Sequence, residues 1–262
     1  MVALGQANPN NGSSGNEQDV CEVINMADST SYCNNLPAYP LSLRLSTGQV
    51  VNSVPIIAGG FLSDNYQISN VYKFDKQSNS WLSLGNLATA RTRHSSSVLK
   101  GALWIIGGYG LYNPGSDYPD GGSLNSTELV YPNGTITSGP NMPTSRANHC
   151  SVQLEDGRIA IIGGLDGNYK VTTIYDPETS TFTDGPDMLF NHAKFGCAHF
   201  YSQKHGGRPV VLSAGDGYYG SSKAEVWDYS LENGTWEESK YLIENIYNCL
   251  NCIESTFPFR II

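Results

Sequence analysis

The residues best equipped for chemistry in this chain of 262 residues are scattered, and each constellation is incomplete. Cys249 and Cys252 make one Cys-x-x-Cys. That spacing suits a redox dithiol or half of a zinc site. No second pair completes the zinc site, and the motif does not open a helix as a redox dithiol would. Residues three apart on an extended strand point to opposite faces, so the two thiols should meet different neighbours. His94 and His149 sit in matching contexts, Arg-His-Ser-Ser and Asn-His-Cys-Ser, and serines are plentiful. A hydrolytic triad would also need an orienting acid, and a hydrolase elbow would show as Gly-x-Ser-x-Gly. The chain has no such elbow, and one histidine repeated in one context points to a structural or entrance-lining role. His192, His199 and His205 lack the i, i+4 spacing of metal ligands. Asp75, Asp176 and Asp228 closely follow aromatic residues and read as turn acids that accept backbone amides. The expectation is no catalytic residue, no metal and no cofactor.

Composition says what kind of element must hold these residues. Only 15% of the chain is charged, while Gly, Asn, Ser, Thr and Tyr abound. That mixture favours an all-β protein with many turns. The formal net charge of −9, with 15 Lys+Arg, disfavours nucleic acid and anionic membranes as partners. No run approaches the eighteen apolar residues of a membrane span, so no membrane insertion is expected. Residues 1–18 are polar and turn-rich after the first four and read as a disordered leader. Residues 19–262 read as one domain. Six cysteines permit a full disulfide set, and Asn-x-Ser/Thr sequons stand at Asn11, Asn125, Asn133 and Asn233. Together they point to a secreted, extracellular glycoprotein; cytosolic free thiols with unused sequons are the alternative.

A repeat organises the chain. Apolar strands end in Gly-Gly at 102–108 and 158–164, with variants at 53–60 and 208–217. The marker glycines are Gly60, Gly108, Gly164 and Gly215, separated by 48, 56 and 51 residues. A second strand follows each, carrying Tyr72, Tyr131, Tyr175 or Trp227. A third carries Trp81, Ile136, Phe182 or Trp236. The doublet-to-aromatic spacing is 12, 11 and 12 in three units and 23 in the second, which holds an insertion. Four such units in register resemble the kelch repeat over roughly residues 20 to 262. The resemblance implies a β-propeller in which each repeat forms a four-stranded blade. Tyr72, Trp81, Tyr175, Phe182, Trp227 and Trp236 are then core between blades.

The ends complete the count. Residues 21–40 resemble the back half of a unit, and residues 248–262 the front half, with Ile261–Ile262 falling on Ile161–Ile162. We expect five blades, the fifth closed by pairing N- and C-terminal strands; six blades is the alternative. Cys21 and Cys33 flank neighbouring strands of the first fragment and are expected to pair. Cys150, Cys197 and Cys249 recur at one place in three blades, and Cys252 is the odd one. Cys197 with Cys252 is one pairing; Cys150 with Cys197 and Cys249 with Cys252 is the other.

Function should sit in the loops. The insertion at 109–128 carries Tyr109, Tyr112, Asp117, Tyr118 and Asp120, and the matching fourth-unit loop carries Tyr218 and Tyr219. On one rim these would make an aromatic, acidic surface. Arg91, Arg93 and Arg146 precede inner strands. They either line a channel mouth and attract an anion or bond blade-linking carbonyls. The reading is a secreted, non-catalytic glycoprotein whose propeller binds a protein or a glycan, or assembles with copies of itself. The alternatives are an enzyme with its site at the channel mouth and an intracellular kelch adaptor.

Overall fold

The computed structural model describes residues 2–6, 17–23, 34–37, 39–41, 43–62, 67–111, 122–164, 169–217 and 223–239. Among them there is no α-helix and one 3-10 turn, Gln203–His205. Among the described residues no helix is long and apolar enough to cross a membrane.

In chain order the strands are β1 (Val2–Gln6), β2 (Glu17–Val23), β3 (Asn34–Leu36), β4 (Leu43–Arg44), β5 (Thr47–Val51), β6 (Val54–Ala58) and β7 (Phe61–Leu62). Next come β8 (Asn70–Asp75), β9 (Ser80–Asn86), β10 (Ser95–Leu99), β11 (Ala102–Ile106), β12 (Thr127–Val130) and β13 (Ile136–Ser138). The last are β14 (Cys150–Gln153), β15 (Ile159–Ile162), β16 (Thr172–Asp176), β17 (Thr181–Asp184), β18 (His192–Ser202), β19 (Arg208–Gly217), β20 (Lys223–Trp227) and β21 (Trp236–Glu238). They form four antiparallel four-stranded sheets: β5-β6-β8-β9, β10-β11-β12-β13, β14-β15-β16-β17 and β18-β19-β20-β21. The innermost strands lie side by side around an axis, β5 against β10, β10 against β14 and β14 against β18. These four blades match the four repeat units.

The alternation of a strand explains why the second strand of each of the first three blades is apolar throughout. Leu103 and Ile105 of β11 pack toward the first blade with Val51, Ile56 and Val71. Trp104 and Ile106 of the same strand pack toward the third with Ile159, Ile161 and Tyr175. A strand buried on both faces needs no polar side. The core is therefore a series of wedges between blades, and Trp81, Tyr175, Trp227 and Trp236 are buried in them as expected. Tyr72 and Phe182 pack against the wedges from partly buried positions.

A three-stranded sheet, β1-β2-β3, precedes the four blades, and β1 lies beside β5. Of the expected leader over residues 1–18, Val2–Gln6 forms β1, and residues 7–16 lie outside the described residues. Val2, Ala3 and Leu4 register with Val23, Glu22 and Cys21, so the apolar start of the chain is a strand. It stands beside β2, the place expected for the strand at Ile261–Ile262. Residues 248–262, the proposed closing segment, lie outside the described residues.

One disulfide joins Cys150 of β14 to Cys197 of β18, with Cα atoms 5.9 Å apart. The alternative of Cys197 with Cys252 is thereby removed, because innermost strands of adjacent blades face each other directly. Hydroxyls occupy the other junctions of these strands. Thr47 Oγ1 meets Ser96 Oγ at 2.5 Å, and Ser97 Oγ donates to Ser151 Oγ at 3.0 Å. Cys33, Cys249 and Cys252 lie outside the described residues, so the expected Cys21–Cys33 pair does too.

Candidate functional site

The segments that link one blade to the next run across the doublet end of the molecule. Residues 87–94 are held to the first blade by Leu87 N–H donating to Ser69 O and Arg91 N–H to Ile68 O. Arg91 then reaches into the second blade. Its guanidinium donates to Gly107 O and Ser126 O, each at 2.9 Å, and to Glu128 Oε1 at 2.8 Å. The Glu128 carboxylate also accepts the N–H groups of Ala88 and Thr89.

The same clamp recurs with different chemistry. His192 Nε2 lies 2.9 Å from Glu225 Oε1, and Glu225 accepts the N–H groups of Leu189 and Phe190. Both side chains are wholly buried. In the third blade Arg146 donates to Val171 O and to Thr173 Oγ1, with no acid in the glutamate's place. There Pro143 stands where Ala88 and Leu189 donate, and a proline has no N–H to satisfy. The first blade solves the same place with an apolar pair, Leu43 and Tyr72. Arg91 and Arg146 are therefore struts between blades, not anion-attracting residues of a channel mouth.

The repeated histidines are struts as well. Both are buried. His94 Nε2 lies 3.0 Å from Ala58 O, and His149 Nε2 lies 2.8 Å from Ser95 Oγ. Burial, then the nearby Arg91, lowers His94 to about 3. Burial, then Arg146 and His94, lowers His149 to about 3. A general base works best with a pKa near the working pH, so His149 is far too weak a base to activate Ser95. Its Nδ1 meets no partner among the described residues, so no acid orients it. Asp75, Asp176 and Asp228 do accept turn amides, from Ser78, Glu178 and Ser230.

Arg93 has a different setting. It follows the strut by two positions and holds a left-handed φ of 54°, as do Leu45 at 58° and Asn148 at 55° in the matching places. These three residues are joined in a row: Arg93 N–H donates to Leu45 O, and Asn148 N–H to Arg93 O. Left-handed backbone at residues other than glycine stores strain that commonly marks a functional site. Beside Leu45 and Arg93 lies a cavity of about 290 Å³, lined by Arg44, Leu45, Phe61, Gln67, Thr92, Arg93 and Tyr109. Two cation–π pairs stand in its walls. Arg44 Cζ is 4.8 Å from the centre of the Phe61 ring, and Arg93 Cζ is 5.7 Å from that of Tyr109. Phe61 and Tyr109 each come directly after the doublet of their unit, where the third and fourth units carry Leu165 and Asp216. Gly108 makes the approach possible: its φ is 95°, and a Cβ there would lie 2.6 Å from Thr92 O.

The insertion is rooted here. Tyr109 pairs with both Thr92 and Ser123, and Gly110 N–H donates to Gly122 O. Of the residues expected to bind, Tyr109 thus lies at the cavity. Tyr112, Asp117, Tyr118, Asp120, Tyr218 and Tyr219 lie outside the described residues. Sequence reasoning missed Arg44, Phe61 and Gln67. The aromatic that directly follows the doublet in the first two units was the available signal for Phe61. Asn125, Asn133 and Asn233 of the sequons are exposed, and Asn11 lies outside the described residues. Among the described residues no three His, Cys, Asp or Glu side chains cluster to hold a metal.

Comparison with known proteins bears on the fold. No family model matches the chain. It is 25% identical over 175 residues to an F-box/kelch-repeat protein of Arabidopsis thaliana, covering 62% of this chain and 44% of that protein. The chain thus matches less than half the length of this relative. The solved structure of YjhT superimposes with a TM-score of 0.65 at 13% identity, over 84% of this chain and 77% of that one.

Proposed function

We propose that this chain, which resembles kelch-repeat proteins in its repeats and its propeller fold, is a binding scaffold for another protein. The partner docks on the doublet end, around the Arg44–Phe61 and Arg93–Tyr109 cavity. A fold of this kind does not specify a function by itself, so the site must carry the reading. The observation that carries it is the coincidence at one rim of strained backbone, two arginines each over an aromatic ring and the root of the longest insertion. A non-catalytic role is part of the same reading. The Ser95–His149 pair has hydrogen-bonding geometry but a base too acidic to use. The Cys150–Cys197 disulfide and three exposed sequon asparagines support an extracellular glycoprotein. Closure of the four blades by a fifth, made from both chain ends, belongs to this proposal too.

The test is capture from extracts of the native source on immobilised full-length chain. Tyr109→Ala and Phe61→Ala should abolish retention of the partner. Tyr201→Ala, at the far end of the β18–β19 hairpin, should leave it intact. Equal retention by all three variants would overturn the docking face. Digestion of the native protein with an amidase specific for N-linked glycans tests the secretory route; no mass shift would overturn the glycoprotein assignment.

A further inference from the structure

We infer that the native protein carries N-linked sugar at Asn133 and Asn233, on the outer turns of the second and fourth blades, and leaves Asn125 bare; this rests on the secretory route proposed above.

Asn133-Gly134-Thr135 lies in the turn between β12 and β13, and Asn233-Gly234-Thr235 ends the turn between β20 and β21. Each asparagine stands at the same distance before the residue that packs inward from the outer strand, Ile136 or Trp236. The first and third blades carry Ser78 and Thr179 at that place, before Trp81 and Phe182. There the next-but-one hydroxyl meets it directly, Ser80 Oγ with Ser78 Oγ at 2.7 Å and Thr181 Oγ1 with Thr179 Oγ1 at 2.8 Å. A hydroxyl residue just before the outer strand's core residue thus recurs in every blade. The asparagine that turns it into a sequon occurs in alternate blades only, and the outer turn does not require it.

The geometry suits substitution at the amide nitrogen. Asn133 Oδ1 accepts Thr135 N–H at 2.9 Å, so the turn uses the oxygen, which a sugar on the nitrogen leaves in place. Asn133, Thr135, Asn233 and Thr235 are all exposed. Asn125 is exposed too, but its Nδ2 donates to Met142 O at 3.4 Å, and Met142 N–H donates back to Asn125 O. Its partner hydroxyl, on Thr127, is buried and donates to Pro140 O. A sugar on Asn125 would push the link to the third blade off its seat.

An apolar side chain waits beside each outer turn. Lys73 of β8 donates to Pro132 O at 3.1 Å, and its cross-strand neighbour Leu82 is 41% exposed. Leu231, in the same turn as Asn233, is 50% exposed. A bulky, solubilising sugar covers such side chains. Both turns also lie away from the doublets. Thr127 registers with Ile106 and Val130 with Leu103, so β12 runs away from Gly107. Lys223 registers with Gly215 and Trp227 with Val211, so β20 runs away from Gly215. Sugar at these turns closes that end of the molecule to a partner and leaves the doublet end clear. In the step itself, Asn Nδ2 bonds to C1 of a sugar carried on a lipid diphosphate. The C1–O bond breaks, the diphosphate leaves with its electron pair, and the amide gives up one proton.

The experiment is digestion of the native protein in heavy-oxygen water with an amidase specific for N-linked glycans, followed by peptide mapping. Release of a sugar leaves an aspartate marked with heavy oxygen. The expected result is a mark at Asn133 and Asn233 and none at Asn125. Asn133→Ser and Asn233→Thr copy the first and third blades, so the turn is kept while the acceptor is lost. Each variant, secreted as the full chain by a eukaryotic cell, should lose the mass of one glycan, and Asn125→Gln should lose none. A variant that is not secreted leaves the map of the native protein to decide. A mark at Asn125, or no mark at either outer turn, would overturn the inference and leave the glycoprotein reading standing so long as sugar is found. No mark at any sequon would overturn that reading itself.

Discussion

Arg91 and Glu128 form a buried ion pair, Nη2 to Oε1 at 2.8 Å, whose two members lie across a junction between blades. The arginine side chain is 0% exposed and the glutamate 5%. At such burial the pair is worth little against an apolar substitute, but breaking it leaves one charge alone. Glu128→Ala would strand a guanidinium and the N–H groups of Ala88 and Thr89. The expected loss is about 3–5 kcal/mol in urea unfolding.

The third blade supplies a rescue for that defect. It lacks the acid and also lacks the N–H at the proline. Glu128→Thr combined with Ala88→Pro should therefore recover part of the stability lost by Glu128→Thr alone. Denaturant midpoints of the two variants and the unaltered protein measure this; a double variant weaker than the single one would refute the coupling.

Acid should loosen the molecule through its repeated histidines. An exposed imidazole titrates near 6.5, whereas His94 and His149 are held at about 3. Between these values the unfolded chain takes up protons that the folded one refuses. Their contribution to stability is full above pH 6.5 and is lost as the pH falls toward 3. Each costs up to about 1.4 kcal/mol per pH unit across that window. A His94→Gln, His149→Gln variant should lose less stability than the unaltered protein between pH 7 and pH 4.5. Equal losses would show that carboxylates alone govern the acid response.

The disulfide occupies a place where two other junctions use paired hydroxyls. Cys150→Ser with Cys197→Ser copies those junctions, so the fold should survive. It removes a cross-link between residues 47 apart in sequence, and the expected cost is about 2–5 kcal/mol. Thermal unfolding with and without reductant should give the same shift for the unaltered protein and none for the variant.

Gly108 and Gly157 separate close approach from backbone preference. Both have positive φ, but a Cβ at Gly157 meets nothing within 4 Å, whereas one at Gly108 meets Thr92 O. Gly108→Ala should cost more than Gly157→Ala, by about 1–3 kcal/mol if the strand is forced to shift. It should also weaken any ligand of the neighbouring cavity. Equal costs would mean the rim yields easily.

The four blades were legible because buried strands and doublets leave contiguous, periodic marks. Trp227 and Trp236 could be assigned to core through the repeat that their spacing resembles. The clamps were not legible. Glu128 looks like any polar residue of a half-exposed strand, and only the fold brings it to Arg91, 37 positions away. Phe61 carried a mark, its place after the doublet, but Arg44 carried none. Its pairing with Phe61 depends on the register of two short strands. The first strand was hidden because three apolar residues beside a polar run are too few to assert a partner.

The unlike clamps also bear on how the chain avoids confusing its own parts. Blades of similar sequence invite exchange during folding, a known failure of repeat proteins. Here a junction built for a glutamate rejects a blade without one, and the reverse. The third blade set after the first would offer Thr173 to Arg91 and leave the amides of Ala88 and Thr89 unmet. The fourth set after the second would offer Glu225 to a link whose Pro143 has no amide to give. The alternation of tyrosine, glutamate, threonine and glutamate at one repeated position thus works as a parity mark, sorting glutamate-bearing blades from the others at every junction.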